Sequence, residues 1–143
     1  MAGPPGWVDL AQANVRNVES LRRAIEGADA VVNLVGILFE SGKQTFSSAQ
    51  AEGARNVARV AQEQGFTRCV QISAIGADGE GLADYARTKA AGENAVREVT
   101  PGAVILRPSI VFGPEDQFFN RFANMARFAP ALPAIGGGKT RLQ

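Results

Sequence analysis

Apolar positions along the chain follow two alternating patterns. Short apolar runs lie at residues 7–13, 30–35, 68–73 and 103–106. Between and after them, apolar residues recur every three or four positions, at residues 15–25, 45–64, 84–98 and 118–128. The runs predict strands and the recurring positions predict amphipathic helices. Strands that alternate with helices are typical of β-α units, so the pattern predicts an α/β fold around a parallel sheet.

Composition narrows the function classes. Apolar residues make up 45% of the chain and charged residues 20%, which is typical of a globular protein. The formal charge is +1 and the basic residues are scattered, so we expect no nucleic-acid partner. The longest apolar stretch, Ala30–Phe39, is about half of a membrane-spanning helix, and Met1–Gly6 does not resemble a secretory signal. We therefore expect neither a transmembrane segment nor secretion.

Two residue counts restrict the chemistry. The chain has no histidine, which excludes a Ser-His-Asp triad and any zinc site with a histidine ligand, and we predict no metal site. Its one cysteine, Cys69, cannot form an internal disulfide and lies in an apolar run. Such a thiol is expected to be buried and inert.

One tyrosine lies one helical turn before a lysine. Tyr85 and Lys89 are four residues apart, so they share a helix face, and a nearby ammonium can lower the pKa of a phenol. Ser73 ends the preceding apolar run, and the carboxyl ends of parallel strands are where ligands bind. We predict that these three residues form a catalytic set on a carbonyl substrate. The alternatives are a core-capping tyrosine and a serine that bonds its own backbone.

A family resemblance rests on five segments of the chain. These are Leu34–Gly36, Gly53–Val57, Ser73, Tyr85–Lys89 and Arg107–Pro114. Together they resemble the extended short-chain dehydrogenases/reductases of the NAD-dependent epimerase/dehydratase superfamily. The stretches 31–38, 85–93 and 112–128 are most similar to the NAD(P)-binding accessory subunits of respiratory complex I (NADH:ubiquinone oxidoreductase) and their proteobacterial relatives. The resemblance implies a Rossmann-type, doubly wound parallel sheet with flanking helices.

The resemblance also implies a cofactor, NADP or NAD, across the carboxyl ends of the strands. The residues that would border it are Asn14, Val15, Leu34, Val35, Gly36, Tyr85, Lys89, Pro108, Ser109 and Ile110. Residues 14–15 would border the adenine, and residues 34–36 the pyrophosphate and ribose. Lys89 would bond the nicotinamide ribose, with Tyr85 near the ring and residues 108–110 beside the carboxamide.

The sequence departs from the family pattern in two places. The glycine-rich phosphate turn and the residue that selects NAD or NADP would precede residue 1, so the chain is expected to begin at the third strand of an incomplete fold. Gln50 stands where the family usually has an asparagine that supports the catalytic lysine. We expect residues 1–143 to form one partial NAD(P)-binding domain. Residues 1–113 would bind nucleotide, and residues 114–143 would begin a smaller part that binds substrate or partner.

Three functions are consistent with these residues. The first is a complex I-like accessory subunit that holds the nucleotide as a structural element, with other respiratory subunits as partners. It would be cytoplasmic or peripheral on the inner face of the bacterial inner membrane, or on the matrix side in a mitochondrion. The second is an active NAD(P)-dependent reductase, epimerase or dehydratase on a carbonyl or quinone-like substrate. A redox sensor, the third, is disfavoured because it would not need the Tyr85–Lys89 pair.

Two further patterns have simpler explanations. Gly137–Thr140 resembles the end of a phosphate-binding P-loop, but no strong strand precedes it, so a surface turn is expected. The phenylalanines at 118, 119, 122 and 128 are expected to pack in a core or a subunit interface rather than around a cofactor.

Overall fold

The computed structural model describes residues 8–66, 68–116, 118–129 and 131. Its helices are α1 (Val18–Ala24), α2 (Glu52–Glu63), α3 (Asp84–Val99) and α4 (Phe119–Ala126), and a π-helix, Ser47–Ala51, runs directly into α2. Its strands are β1 (Val31–Asn33), β2 (Cys69–Ile72) and β3 (Val104–Leu106). These elements agree with seven of the eight predicted segments.

The strands form one parallel sheet in the order β1-β2-β3. Val32 is in register with Val70, which is in register with Val104. Because the strands are parallel, their carboxyl ends meet at one edge of the sheet. The prediction of an α/β fold with a Rossmann-type parallel sheet is confirmed, and this edge is where the site must be sought.

The core lies on one face of the sheet, beneath α2 and α3. Two clusters of buried side chains form it: Ala54, Ala58, Cys69 and Val96, and Leu21, Val57 and Val60. Cys69 is buried as predicted, and burial raises the pKa of its thiol, which disfavours the reactive thiolate. α1 and α2 end shortly before the predicted stops, Gly27 and Gly65, whose φ angles of +75° and +81° few other residues adopt.

The prediction of a strand at residues 7–13 is wrong for the part that the structure describes. Residues 8–13 form no strand, and Val8 and Leu10 are exposed. A strand is stabilised by pairing, and no described strand lies beside this segment. The apolar residues of this segment therefore predicted a strand, but a strand does not form without a neighbouring strand to pair with. Trp7 lies outside the described residues.

The chain divides into two compact units, one ending at Arg107 and one beginning at Pro108. In the second unit, α4 buries none of its residues. Phe118 makes edge contacts with Phe119 and Phe122, but Phe128 is exposed, so the described residues provide no core for this helix. Gly137–Thr140 lies outside the described residues. No described helix is both long and apolar enough to span a bilayer.

Candidate functional site

A buried pair of polar side chains, Asn33 and Gln71, supports the loop after β1. Asn33 donates from its amide to Gln71 Oε1 at 2.8 Å, and both side chains are buried. Asn33 Oδ1 also accepts a hydrogen bond from the Val35 amide at 3.1 Å. Leu34, Val35 and Gly36 are exposed above this pair. The three residues predicted beside the pyrophosphate thus form an accessible and locally fixed loop at the carboxyl edge of the sheet.

The turn at Asn14 and Val15 is fixed by contacts with α1 and α2. The Asn14 amide donates to Ser20 Oγ at 3.0 Å, and Asn56 Nδ2 donates to the Val15 carbonyl at 3.0 Å. A Cβ atom on Gly53 would lie 2.7 Å from Val15 Cγ2, so this position needs glycine for Val15 to pack there. The spacing of Gly53 and Asn56 on α2 is therefore explained by the turn that they support.

Asn14, Val15 and Val35 line the same groove, whose volume is about 230 Å³. The structure therefore brings together two parts of the predicted cofactor site that are 20 residues apart in the chain. The groove can accept one part of a dinucleotide rather than the whole molecule. Its mixed lining of amide and aliphatic groups suits a base or a ribose.

Lys89 points from α3 toward the same edge of the sheet. Its side chain is only 7% exposed, and Nζ donates to the Ile72 carbonyl at 3.4 Å. A Cβ atom added to Gly36 would lie 3.1 Å from this nitrogen, so the ammonium packs directly against the loop. Burial lowers the pKa of Lys89, and the carboxylate of Glu93 opposes that effect. The structure thus places Lys89 beside Gly36, as the predicted cofactor site requires.

Tyr85 is half-buried at the amino-terminal end of α3. Its ring makes an edge contact with Phe46, and Lys89 Nζ lies 5.9 Å from the ring centroid. Burial raises the pKa of the phenol. Loss of water around the ring is the cause of this shift, and the Lys89 ammonium is directed toward Gly36 and Ile72. The catalytic role of the Tyr85–Lys89 pair stays a prediction.

Ser73 follows β2, as predicted, and its side chain is buried beside Glu93. Its buried hydroxyl has no partner of good hydrogen-bond geometry, yet it lies close enough to Glu93 to help lower the pKa of that carboxyl. Glu93 is 1% exposed and receives two hydrogen bonds of 2.8 Å from Arg107. Burial opposes ionisation of Glu93, but Arg107, Ser73 and Arg97 outweigh it, so the pKa of Glu93 is low.

Pro108, Ser109 and Ile110 begin the second unit, where each is half-buried. Their contact with a nicotinamide carboxamide stays a prediction. In the first unit, the structure adds four polar residues to which the sequence assigned no site role: Asn33, Gln71, Glu93 and Arg107. A polar residue within an apolar run is the signal that could have revealed Asn33 and Gln71.

These features define a class of protein. A parallel sheet that carries a glycine-containing loop, a groove and a buried ammonium at its carboxyl edge is typical of a Rossmann-type nucleotide-binding domain. Residues 4–117 match a family model described as NAD(P)H-binding. The chain belongs to this NAD(P)H-binding family, whose cofactors agree with the prediction of NADP or NAD.

Similar proteins include both a respiratory subunit and an enzyme. The chain is 33% identical to the mouse mitochondrial NADH dehydrogenase [ubiquinone] 1 alpha subcomplex subunit 9, over 96% of the chain and 36% of the mouse protein. It is 30% identical to a ceramide reductase of Caulobacter vibrioides, over 92% of the chain and 42% of that protein. The chain therefore spans about 36–42% of the length of these curated relatives.

Solved structures support the fold. A dTDP-4-dehydrorhamnose reductase from Clostridium acetobutylicum superposes with a TM-score of 0.64 at 23% identity, over 79% of this chain and 47% of that one. The Bacillus anthracis enzyme of the same name, solved in complex with NADP, has a TM-score of 0.63 at 20% identity, over 81% of this chain and 49% of that one. At these identities the likeness concerns the fold alone.

Proposed function

We propose that this chain holds NADP(H) or NAD(H) at the carboxyl edge of the sheet, and that the nucleotide is a structural element that does not turn over. Residues 14–15 contact the adenine side, and residues 34–36 lie along the pyrophosphate and ribose. Lys89 donates to the nicotinamide ribose, with Tyr85 beside the ring. The shared groove and the ammonium against Gly36 support this arrangement.

The direction of the Lys89 ammonium, toward Gly36 and Ile72, is the observation that carries the structural role. A phenol is most efficient as a general acid or base near neutral pH when its pKa lies close to that range. Here burial moves the pKa of Tyr85 upward, and Lys89 Nζ donates to Ile72 instead. Ser73 lies beside the Glu93 carboxylate. We therefore assign binding and positioning, rather than proton transfer, to the three predicted catalytic residues.

The likeness to the respiratory subunit suggests the partners. We infer that the whole protein assembles with other subunits of a respiratory complex, on the cytoplasmic face of a bacterial inner membrane or the matrix face of a mitochondrial one. A nucleotide that binds only the folded state stabilises it by mass action, by about 2.7 kcal/mol at a hundredfold excess over Kd. Such stabilisation is what a structural nucleotide contributes to a subunit.

Calorimetric titration and thermal melting of the product of the intact gene test the binding. We expect saturable heat with NADPH or NADH, and a melting temperature that rises with nucleotide concentration. Gly36→Val serves as a matched variant, because its branched side chain would meet the Lys89 ammonium. Absence of both heat and thermal shift with either nucleotide would refute the proposal.

A reductase is the second candidate, favoured by the one-turn spacing of Tyr85 and Lys89 and by the likeness to ceramide reductase. Turnover assays separate the two functions. We expect bound nucleotide to be neither oxidised nor reduced by added carbonyl or quinone substrates. Steady nicotinamide turnover that Tyr85→Phe abolishes, while nucleotide affinity is retained, would establish the reductase instead.

A further inference from the structure

A buried glutamine joins the two halves of the proposed nucleotide site. Gln50 lies in the π-helix and is 2% exposed, which makes it one of the largest fully buried side chains among the described residues. Its Nε2 donates to the Ile37 carbonyl at 2.9 Å. Ile37 follows Gly36, so this hydrogen bond fixes the end of the loop that carries residues 34–36.

The same segment also fixes α3. A Cβ atom on Gly92 would lie 2.3 Å from the Gln50 carbonyl oxygen, so the π-helix and α3 touch through backbone at this point. Gln50 Oε1 lies 3.3 Å from Thr88 Oγ1, one turn earlier on α3. Thr88 has a single hydroxyl hydrogen and a shorter acceptor, the Asp84 carbonyl at 2.7 Å. The backbone contact and the Ile37 bond are therefore the stronger links.

These links set the distance between the loop and Lys89. The Lys89 ammonium lies against Gly36, and Gln50 bonds the next residue, Ile37. If the amide of Gln50 were removed, the Ile37 carbonyl would lose its donor, and the loop could move away from the lysine. A π-helical turn inside a longer helix is a local feature that often occurs at functional sites.

We propose that Gln50 is a positioning residue for the nucleotide, which holds the loop of residues 34–37 at a fixed distance from Lys89. This inference rests on the proposed function. A loop that is already held in its bound shape loses less conformational freedom when nucleotide binds. Gln50 therefore increases the affinity for nucleotide without contacting it.

Gln50→Leu tests the proposal in the product of the intact gene, because leucine retains an apolar volume but cannot donate to Ile37. We expect the Kd for NADPH or NADH to rise about tenfold, as for one lost hydrogen bond that is needed for an organised site. Gln62→Leu is the matched control. Gln62 lies on α2 and also donates to a backbone carbonyl, that of Val99 at 2.8 Å, but far along the helix from the loop.

The outcomes separate this proposal from the one on which it rests. If the wild-type protein binds no nucleotide, the proposed function fails and the role of Gln50 fails with it. If the wild type binds and a folded Gln50→Leu variant has the same Kd, only the role of Gln50 is overturned. A general effect on stability would lower the melting temperature of both variants without changing the Kd of either.

A second measurement covers the case in which Gln50→Leu does not fold. Gln50→Met retains nearly the length of the side chain and has no N–H donor, and we expect the same rise in Kd. If this variant also fails to fold, hydrogen exchange of the wild-type protein decides. Backbone amides at residues 34–37 must then be protected from exchange before nucleotide is added, and exchange there at the rate of an unfolded chain overturns the proposal.

Discussion

Replacement of Glu93 by glutamine tests the polar network that organises the carboxyl edge of the sheet. The wild-type carboxylate is 1% exposed and accepts two hydrogen bonds of 2.8 Å from Arg107. Glutamine has nearly the same shape, but only one of its terminal atoms can accept a hydrogen bond. Glu93→Gln therefore removes one charge-assisted hydrogen bond and places an amide NH₂ against a guanidinium.

The expected decrease in the free energy of unfolding follows from these contacts. A hydrogen bond to a charged group contributes about 1.5–3 kcal/mol. The Arg107 side chain is about half exposed, so water can take over the donor that is released, and the lower end of that range applies. We expect a loss of about 1–2 kcal/mol, which corresponds to a decrease of about 3–8 °C in Tm for a domain of this size.

The pH dependence provides an independent check. The pKa of Glu93 is lower in the folded protein than in the unfolded chain, where it is about 4.3. Its contribution is therefore fully present above that value and is lost as the pH falls through the lower folded pKa. Because glutamine does not titrate, the difference in stability between wild type and variant should shrink under acid conditions.

Chemical denaturation followed by circular dichroism, at pH 7 and in a series down to pH 3, measures both effects. Glu98→Gln is the control, because Glu98 lies on the same helix and pairs with Arg55 at 3.0 Å on the exposed surface. Exposed ion pairs contribute at most about 1 kcal/mol, so this variant should be nearly neutral. Equal stability of Glu93→Gln and wild type at pH 7 would refute the reasoning about the buried carboxylate.

Three further predictions follow from packing. Gly92→Ala should destabilise the chain by about 2 kcal/mol or more in denaturant titrations, because its Cβ would overlap the Gln50 carbonyl, whereas Gly76→Ala, with open space around it, should be nearly neutral. Lys89→Met should weaken nucleotide binding in calorimetry with little loss of Tm, because it removes the ammonium together with the cost of burying it. Unchanged affinity would show that Lys89 does not contact the nucleotide. The 143-residue chain should bind a dye that fluoresces on apolar surfaces, because three apolar side chains on one face of the sheet are exposed: Val32 at 54%, Val104 at 52% and Leu106 at 49%. Absence of dye fluorescence would show that this face is covered in solution.

Local pattern predicted most of the fold. The runs at 30–35, 68–73 and 103–106 contain β1, β2 and β3, and the periodic segments contain the helices. The run at 7–13 failed in its described part because strand formation depends on a neighbouring strand, which apolar content does not reveal. Sequence pattern can therefore identify where a strand is possible, while pairing decides whether it forms.

The chemistry of the site was less predictable than its location. The spacing of Tyr85 and Lys89 correctly indicated one helix face, and the carboxyl edge of the sheet lies beside it. The direction of the Tyr85 pKa depends on burial and on where the ammonium points, and neither follows from spacing. Gln50 likewise acquires its contacts from the loop after β1 and from α3, which are distant in sequence.

The polar groups beneath the site explain why the loop and α3 stay together. Burial of a polar side chain is unfavourable unless it is hydrogen-bonded. Asn33 donates to Gln71, and Gln71 donates to the Ile72 carbonyl. Gln50 donates to the Ile37 carbonyl, and Lys89 donates to that of Ile72. Movement of the loop would break the hydrogen bonds of Asn33 and Gln50 to it and leave both side chains buried without those partners. Hydrogen bonds within the protein thus hold the proposed nucleotide site in shape, and such preorganisation lowers the entropic cost of binding.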